Sequence, residues 1–383
     1  MTIAELEKRA KKPRLFTPCK IGALELPNRI VVAPMCQYSA VDGNAIDWHT
    51  IHAGSLAISG AGLFCIEATA VQRQGRITPG CLGLYSDDNR VALQKLVSAL
   101  RSVSNIPLAI QLSHSGRKAS MHPPWEGGAY IAPEDGGWRP RGPSPIQRVP
   151  QEPVPDVLSF QNMVDIKNAF GSAARRVREI GLDAIEIHMA HGYLLHQFLS
   201  PLSNERTDKY GGSLANRMRF PLEVFQTVLE AAGTEIPVGV RLSGTDWVDG
   251  GWDINDTVAM AKELEKIGCA FIDISSGGVS HLQKVSTKLG PGYQVPLAAQ
   301  VKAAVTIPVI AVGLITEPQH AENILETDSA DLIALARGFL NEPRWPWRAA
   351  AELGGTVCAP PQVWRALPRG HSPIFDQTRK QSQ

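Results

Sequence analysis

The stretch MVDIKNAFGSAARRVREIGLDAIEIH, Met163 to His188, joins two elements of different period. Met163, Ile166, Phe170, Ala173, Val177 and Ile180 recur every three or four residues, the spacing of one apolar helix face. Asp165, Lys167, Arg175, Arg176 and Arg178 fall on the other faces. Gly181 is placed to end the helix, since glycine enters the left-handed C′ conformation without a steric penalty. Ala184–His188 is then a short continuous run, the pattern of a parallel strand buried on both faces.

Seven other runs read the same way: Ile30–Ala33, Leu63–Glu67, Leu108–Leu112, Val238–Leu242, Phe271–Ile274, Val309–Val312 and Leu332–Leu335. A second helical stripe, Val258, Ala261, Leu264 and Ile267, stops at Gly268. Strand and helix alternating eight times predict an α/β fold, a (β/α)8 TIM barrel. A doubly wound open sheet needs a Gly-rich turn directly after its first strand. Here Pro34-Met35-Cys36-Gln37 follows Ile30–Ala33, while Gly60-Ala61-Gly62 precedes a strand and lacks the third glycine.

The expected organisation is an N-terminal extension (1–14), one barrel (15–353) and a C-terminal tail (354–383). The interval Ser113–Phe160, with its Gly-Gly and Pro-rich steps, reads as an insertion over the barrel mouth. The 383 residues carry 38 Lys+Arg against 37 Asp+Glu, so no charge excess points to nucleic acid or an anionic membrane. At 44% apolar and 20% charged, with 34 Gly and 28 Pro, the chain is neither disordered nor of low complexity. Its six cysteines form no C-x-x-C pair, which argues against a zinc ribbon, an iron–sulfur cluster and a disulfide framework. Met1–Arg14 lacks the apolar core of a signal peptide, and no run of 18 apolar residues occurs, so a cytoplasmic location is expected.

Barrels collect chemistry at the C-terminal ends of their strands. Those ends read Pro34-Met35-Cys36, Glu67-Ala68-Thr69, Gln111 to His114, His188 with His191 and Tyr193, Arg241, Ser275 to Gly278, Gly313, and Arg337-Gly338. Gly313 and Arg337-Gly338 stand where barrels often bind phosphate, although glycines there can also merely turn the chain. Arg241 implies either an anionic ligand or a structural ion pair. His188 and His191 are spaced to aim two N–H donors at one oxygen, to ligate a metal completed from elsewhere, or to serve as buried structural histidines. Tyr193 keeps its proton at neutral pH and can donate it.

With these positions in view, the chain resembles the old yellow enzyme family of flavin-dependent ene-reductases, in its thermophilic-like or xenobiotic-reductase class. The motifs are Leu26-Pro-Asn-Arg29, Ala33-Pro-Met-Cys-Gln-Tyr38, Glu67-Ala-Thr69, Gln111-Leu-Ser-His-Ser-Gly-Arg-Lys118, Glu186-Ile-His-Met-Ala-His-Gly-Tyr193, Asn204 to Gly212 and Arg241-Leu-Ser. The resemblance implies non-covalent FMN lined by Pro34, Met35 and Cys36, with Ala68 and Gln111 at the ring edge and Arg241 near N1. Ser276, Gly278, Gly313, Arg337 and Gly338 would hold ribityl and phosphate. It further implies an NADPH dehydrogenase, preferring NADPH to NADH, that reduces the C=C bond of α,β-unsaturated carbonyl compounds by ping-pong hydride transfer through flavin N5. His188 and His191 would bind the carbonyl oxygen, Tyr38 would position the substrate, and Tyr193 would donate the proton. Trp364 and Arg365 match the place where this class reaches a neighbouring subunit's site, implying a homodimer or homotetramer. A dienoyl-type reductase would need clustered cysteines, and a metal-dependent hydrolase using the two histidines would be colourless and chelator-sensitive.

Overall fold

Val, Ile, Leu and Ala dominate eight short strands whose residues are almost all buried, and such strands need cover on both faces. A computed structural model describes residues 12–285, 289–367 and 373–376; most of the expected N-terminal extension lies outside them. A hairpin, β1 (Cys19–Ile21) and β2 (Leu24–Leu26), precedes the first barrel strand, β3 (Ile30–Val32). The others are β4 (Leu63–Ala70), β5 (Leu108–Ser113), β8 (Ala184–Met189), β9 (Val238–Ser243), β10 (Ile272–Ser275), β11 (Val309–Val312) and β12 (Leu332–Leu335). The short pair β6 (Arg141–Gly142) and β7 (Asp156–Val157) lies in the insertion. All eight barrel strands are parallel and pair in chain order, and β12 closes onto β3 through Ile333 and Ile30. The barrel and its strand order are therefore as expected; two strands, Val309–Val312 and Leu332–Leu335, have the expected bounds, and the other six differ by one to three residues.

Apolar burial falls into two bodies. One fills the lower barrel interior and its plug, including Ile21, Leu26, Val31, Leu63, Ala109, Ala184, Phe271 and Leu332. Gly239 leaves room there: a Cβ would sit 2.5 Å from the Phe271 ring. The other body packs the helices on the barrel wall. Helix Phe160–Ile180 buries the expected stripe, starts at a reciprocal Ser159–Asn162 cap, and ends at Gly181 with φ +79.

The insertion is tied over the C-terminal ends of the strands by arginines. Arg117 donates to the carbonyls of Ile146 (2.9 Å) and Val279 (2.6 Å). Arg206 donates to those of Pro143 and Leu158. The described start of the tail, from Cys358 on, lies at the opposite end. Cys358, Ala359 and Pro360 share a cavity with Ile58, Gly60, Ile106 and Pro107, which all precede strands. No helix among the described residues is long and apolar enough to cross a membrane.

Candidate active site

β3 ends into Pro34, Met35 and Cys36, all half-buried. Gln37 braces this turn by donating to the Met35 carbonyl (2.9 Å) and accepting from Trp48 Nε1 (3.1 Å). Tyr38 follows at φ +51, with its ring edge-on to Trp125 at 5.8 Å. Burial pushes the Cys36 thiol and the Tyr38 phenol up from their ordinary values.

The barrel centre holds a row of charge. Gln111 Nε2 donates to Glu186 Oε1 at 2.7 Å, and Arg241 Nε lies 3.2 Å from Asp273 Oδ2. Arg241 and Asp273 stand opposite each other in the β9–β10 register, as Gln111 and Glu186 do between β5 and β8. Burial raises both carboxyls above their usual range; Asp273 raises Glu186 further, and Arg241 opposes the shift in each. The structural ion pair left open for Arg241 is thus present. One guanidinium between two buried carboxyls does not exclude an anion at the mouth above it.

The β8 end gathers the chemistry. The Ala190 amide donates to His188 Nδ1 (3.2 Å), so the His188 proton is on Nε2. That nitrogen faces His191 Nδ1 at 3.3 Å, which leaves His191 Nε2–H to donate to Ser275 Oγ at 2.6 Å. Burial first, then Arg241, hold both imidazoles well below the usual histidine range. Two neutral N–H donors result. Tyr193 stands T-shaped to His188 at 4.8 Å, and burial keeps its phenol protonated.

The turn carrying them is strained and tightly held. His191, not a glycine, sits at φ +58, and Gly192 follows at φ +71. A Cβ on Gly192 would lie 2.2 Å from the Gly278 carbonyl, so only glycine permits this close approach. The Gly192 amide donates to His196 Nδ1 (2.8 Å), and His196 Nε2 lies 3.0 Å from Asp246. Backbone strain of this kind persists only where surrounding structure imposes it, commonly at functional sites.

Beyond β9, the ends of β10, β11 and β12 form a polar corner. Buried Gln294 accepts from Ser276 Oγ (2.5 Å) and donates to the Val312 carbonyl (3.0 Å), tying the two strand ends together. Gly278 has φ +92 and Gly313 φ +138. Arg337 is exposed, and it opens the helix Arg337–Asn341. The Arg337 and Gly338 amides lie in that helix's first turn, before any intrahelical acceptor. Free donors, a guanidinium and side-chain-free backbone suit a phosphate, so a phosphate-bearing cofactor fits.

Pro34, Met35, Cys36, Tyr38, Ala68, Gln111, His188, His191, Tyr193, Arg241, Ser276, Gly278, Gly313, Arg337 and Gly338 thus all stand at or just beyond strand C-terminal ends. Trp364 and Arg365 do not join them. Their helix, Pro361–Ala366, follows the tail cavity at the opposite end, and Trp364 donates to its own Ala359 carbonyl. Among the described residues, no three His, Cys, Asp or Glu side chains gather at metal-binding spacing, so the histidine pair has no third ligand from these types.

Sequence reasoning passed over Lys118, Glu186, Asp273 and Gln294 as individual site residues. Glu186 and Asp273 carried a signal, since an acid inside a continuous apolar strand must find a buried partner. Lys118 ends the single 3-10 turn Gly116–Lys118 and Gln294 precedes helix Val295–Lys302, places too short or irregular for spacing to fix orientation.

Comparison with known proteins agrees with this architecture. Residues 14–354 match the model of the NADH:flavin oxidoreductase / NADH oxidase family. An NADH:flavin oxidoreductase of Gibberella zeae is 42% identical over 374 residues, covering 93% of this chain and 90% of that protein. An NADPH dehydrogenase of Geobacillus sp. strain WCH70 is 40% identical over 353 residues, covering 92% and 98%. Among solved structures, morphinone reductase in complex with tetrahydroNAD superposes with a TM-score of 0.74 at 27% identity, covering 92% of this chain and 94% of that one. A 2-naphthoyl-CoA reductase complex gives 0.80 at 25% identity; the match covers 88% of this chain but only 52% of that longer one.

Proposed function

Because the chain belongs to the old yellow enzyme family of flavin-dependent oxidoreductases, we propose that it is an ene-reductase: it takes reducing equivalents from NADPH, in preference to NADH, and saturates the C=C bond of α,β-unsaturated carbonyl compounds. The observation that carries the reading is the pair of neutral N–H donors, His188 and His191, packed beside the protonated Tyr193.

FMN would supply the hydride chemistry when bound, linking oxidation of the nicotinamide to hydride addition at the alkene β-carbon. Pro34, Met35, Cys36, Ala68, Gln111 and Arg241 would hold its ring, and Ser276, Gly278, Gly313, Arg337 and Gly338 its ribityl and phosphate. As hydride adds, charge builds on the substrate carbonyl oxygen. His188 and His191 would receive that charge by exchanging partners, the His188 Nε2–H leaving His191 Nδ1 and the His191 Nε2–H leaving Ser275 Oγ for the substrate oxygen, and being neutral they do so without surrendering a proton. Tyr38 steers the ring of the substrate. The Tyr193 hydroxyl gives its proton to the α-carbon. Both reactants use the one mouth in turn, so the kinetics are ping-pong. Trp364 and Arg365, remote from their own mouth, would complete that of a neighbouring copy in a homodimer or homotetramer, working in the cytoplasm.

The test is the visible spectrum of the purified protein. Yellow protein should bleach anaerobically with NADPH and recover colour with cyclohexenone. Protein isolated without flavin, or bleached protein that enones fail to reoxidise, overturns the reading.

A further inference from the structure

One buried acid at the mouth has no place in the scheme above. β4 pairs with β5 through Ile66 and Ile110, then through Thr69 and Leu112. Glu67 and Ala68 therefore bulge together opposite Gln111 alone, and bulges re-aim side chains. Glu67 meets helix Asp47–Ala57 and the turn after β3. Its carboxyl is buried: Oε2 accepts the Gln37 amide at 3.0 Å, and Oε1 lies 3.6 Å from His49 Nε2. The Ile46 amide donates to His49 Nδ1 (3.1 Å), so Nε2 carries the His49 proton and points at the carboxyl, too far for a full hydrogen bond. Met35, His49, His52 and Glu67 line a cavity of ≈ 20 Å³, enough for one water molecule.

We propose that Glu67 is a positioning residue for the Cys36–Gln37 turn, and that its ionisation lowers the electron affinity of the cofactor face. This rests on the flavin reading above. The Gln37 amide adjoins Cys36 directly, so losing its acceptor frees the peptide that presents the thiol. The titratable groups around Glu67 are His49 and His52 from the helix, Cys36 and Tyr38 from the turn, and Cys81 beyond β4. Burial keeps both histidines below their usual value, so near neutrality neither is a cation. Burial keeps both thiols and the phenol protonated. Glu67 itself is pushed up to about 8 by burial, against the Gln37 amide. Once ionised it is a carboxylate with no cation beside it among the described residues, and that charge opposes added electrons.

The flavin-loaded enzyme and its Glu67→Gln variant should show parallel midpoint potentials against pH below 8. Above pH 8 the unaltered enzyme should drop away, by about ten-fold in the two-electron equilibrium, or about 30 mV. Curves that stay parallel to pH 9.5 overturn the electrostatic role. Positioning is read separately by the rate of Cys36 alkylation with iodoacetamide at pH 7. Glu67→Gln keeps a carbonyl acceptor for the Gln37 amide and should leave the rate unchanged, whereas Glu67→Ala should alter it several-fold. Equal rates in all three proteins overturn positioning. If Glu67→Ala fails to fold, Glu67→Gln still decides the potential. Alkylation reads the turn even in a protein that reduces no alkene, so failure of the functional reading is told apart from failure of this one.

Discussion

The Lys118 ammonium lies 4.7 Å from the centroid of the Tyr193 ring and donates to the His191 carbonyl at 2.7 Å. A third contact, to the Gly278 carbonyl at 3.2 Å, fixes it there. A cation over that ring favours the phenolate left when a proton departs.

Tyr193→Phe should therefore leave NADPH-driven flavin reduction intact and slow alkene reduction by about 10²- to 10⁴-fold, the range of a lost general acid. Stopped-flow measurement of the two half-reactions separates them. Equal losses in both would remove Tyr193 from the proton step.

Lys118→Met should slow only the alkene half-reaction, with a pH signature. Burial holds Lys118 down to about 7, so the native lysine is charged below that pH and largely neutral above it. The two proteins should differ most at pH 6 and converge by pH 8.5. A constant ratio across that range argues against the charge.

Replacing either His188 or His191 with Ala should weaken phenol binding about ten-fold, the worth of one hydrogen bond. Because both rings are held well below the usual histidine range, the native affinity should show no imidazole inflection between pH 6 and 8. Spectral titration of the bound flavin reads both effects.

Arg241→Met leaves the buried Asp273 carboxyl without its cation, beside a Glu186 that burial keeps largely protonated at pH 7. The expected loss is about 3–5 kcal/mol of unfolding free energy, measured by urea titration at pH 7. A loss under about 1 kcal/mol would mean that Asp273 takes up a proton and is neutral without Arg241.

Raised carboxyl values also set the direction of stability with pH. Glu67 and Glu186 hold protons in the folded state that the unfolded chain releases near 4.5, so the native state binds more protons above that pH. Their contribution falls as pH rises from about 4.5 toward 8. Glu186→Gln should flatten the urea midpoint between pH 5 and 7 relative to the unaltered enzyme, and an unchanged slope would assign the dependence elsewhere.

Much of this site is legible in one dimension, for identifiable reasons. Ala184–His188 and its seven counterparts declare themselves because strands buried on both faces must be continuously apolar. Polar residues where such a run ends, such as His188, Arg241 and Ser275, mark the mouth because chain direction fixes which end of every parallel strand faces it. Glu67 was visible as a strand-end acid, but the bulge that turns it toward His49 arises from pairing with β5 and has no local signal. Trp364 and Arg365 were singled out only by the family resemblance, which implies a neighbouring subunit's site; within one chain the tail's packing holds them at the far end of their own barrel.

The sequence by itself determined the barrel, its strand order and the set of polar residues at its mouth, since each follows from period, chain direction and turn chemistry within a few residues. Tertiary structure alone decided the partners: Lys118 with Tyr193, Arg241 with Asp273, Gln294 with Ser276, and the protonated nitrogen on each histidine. Lys118 and Tyr193 belong to different βα units, and so do Arg241 and Asp273. The energies of such pairs depend on distance and burial, which only the closed barrel sets.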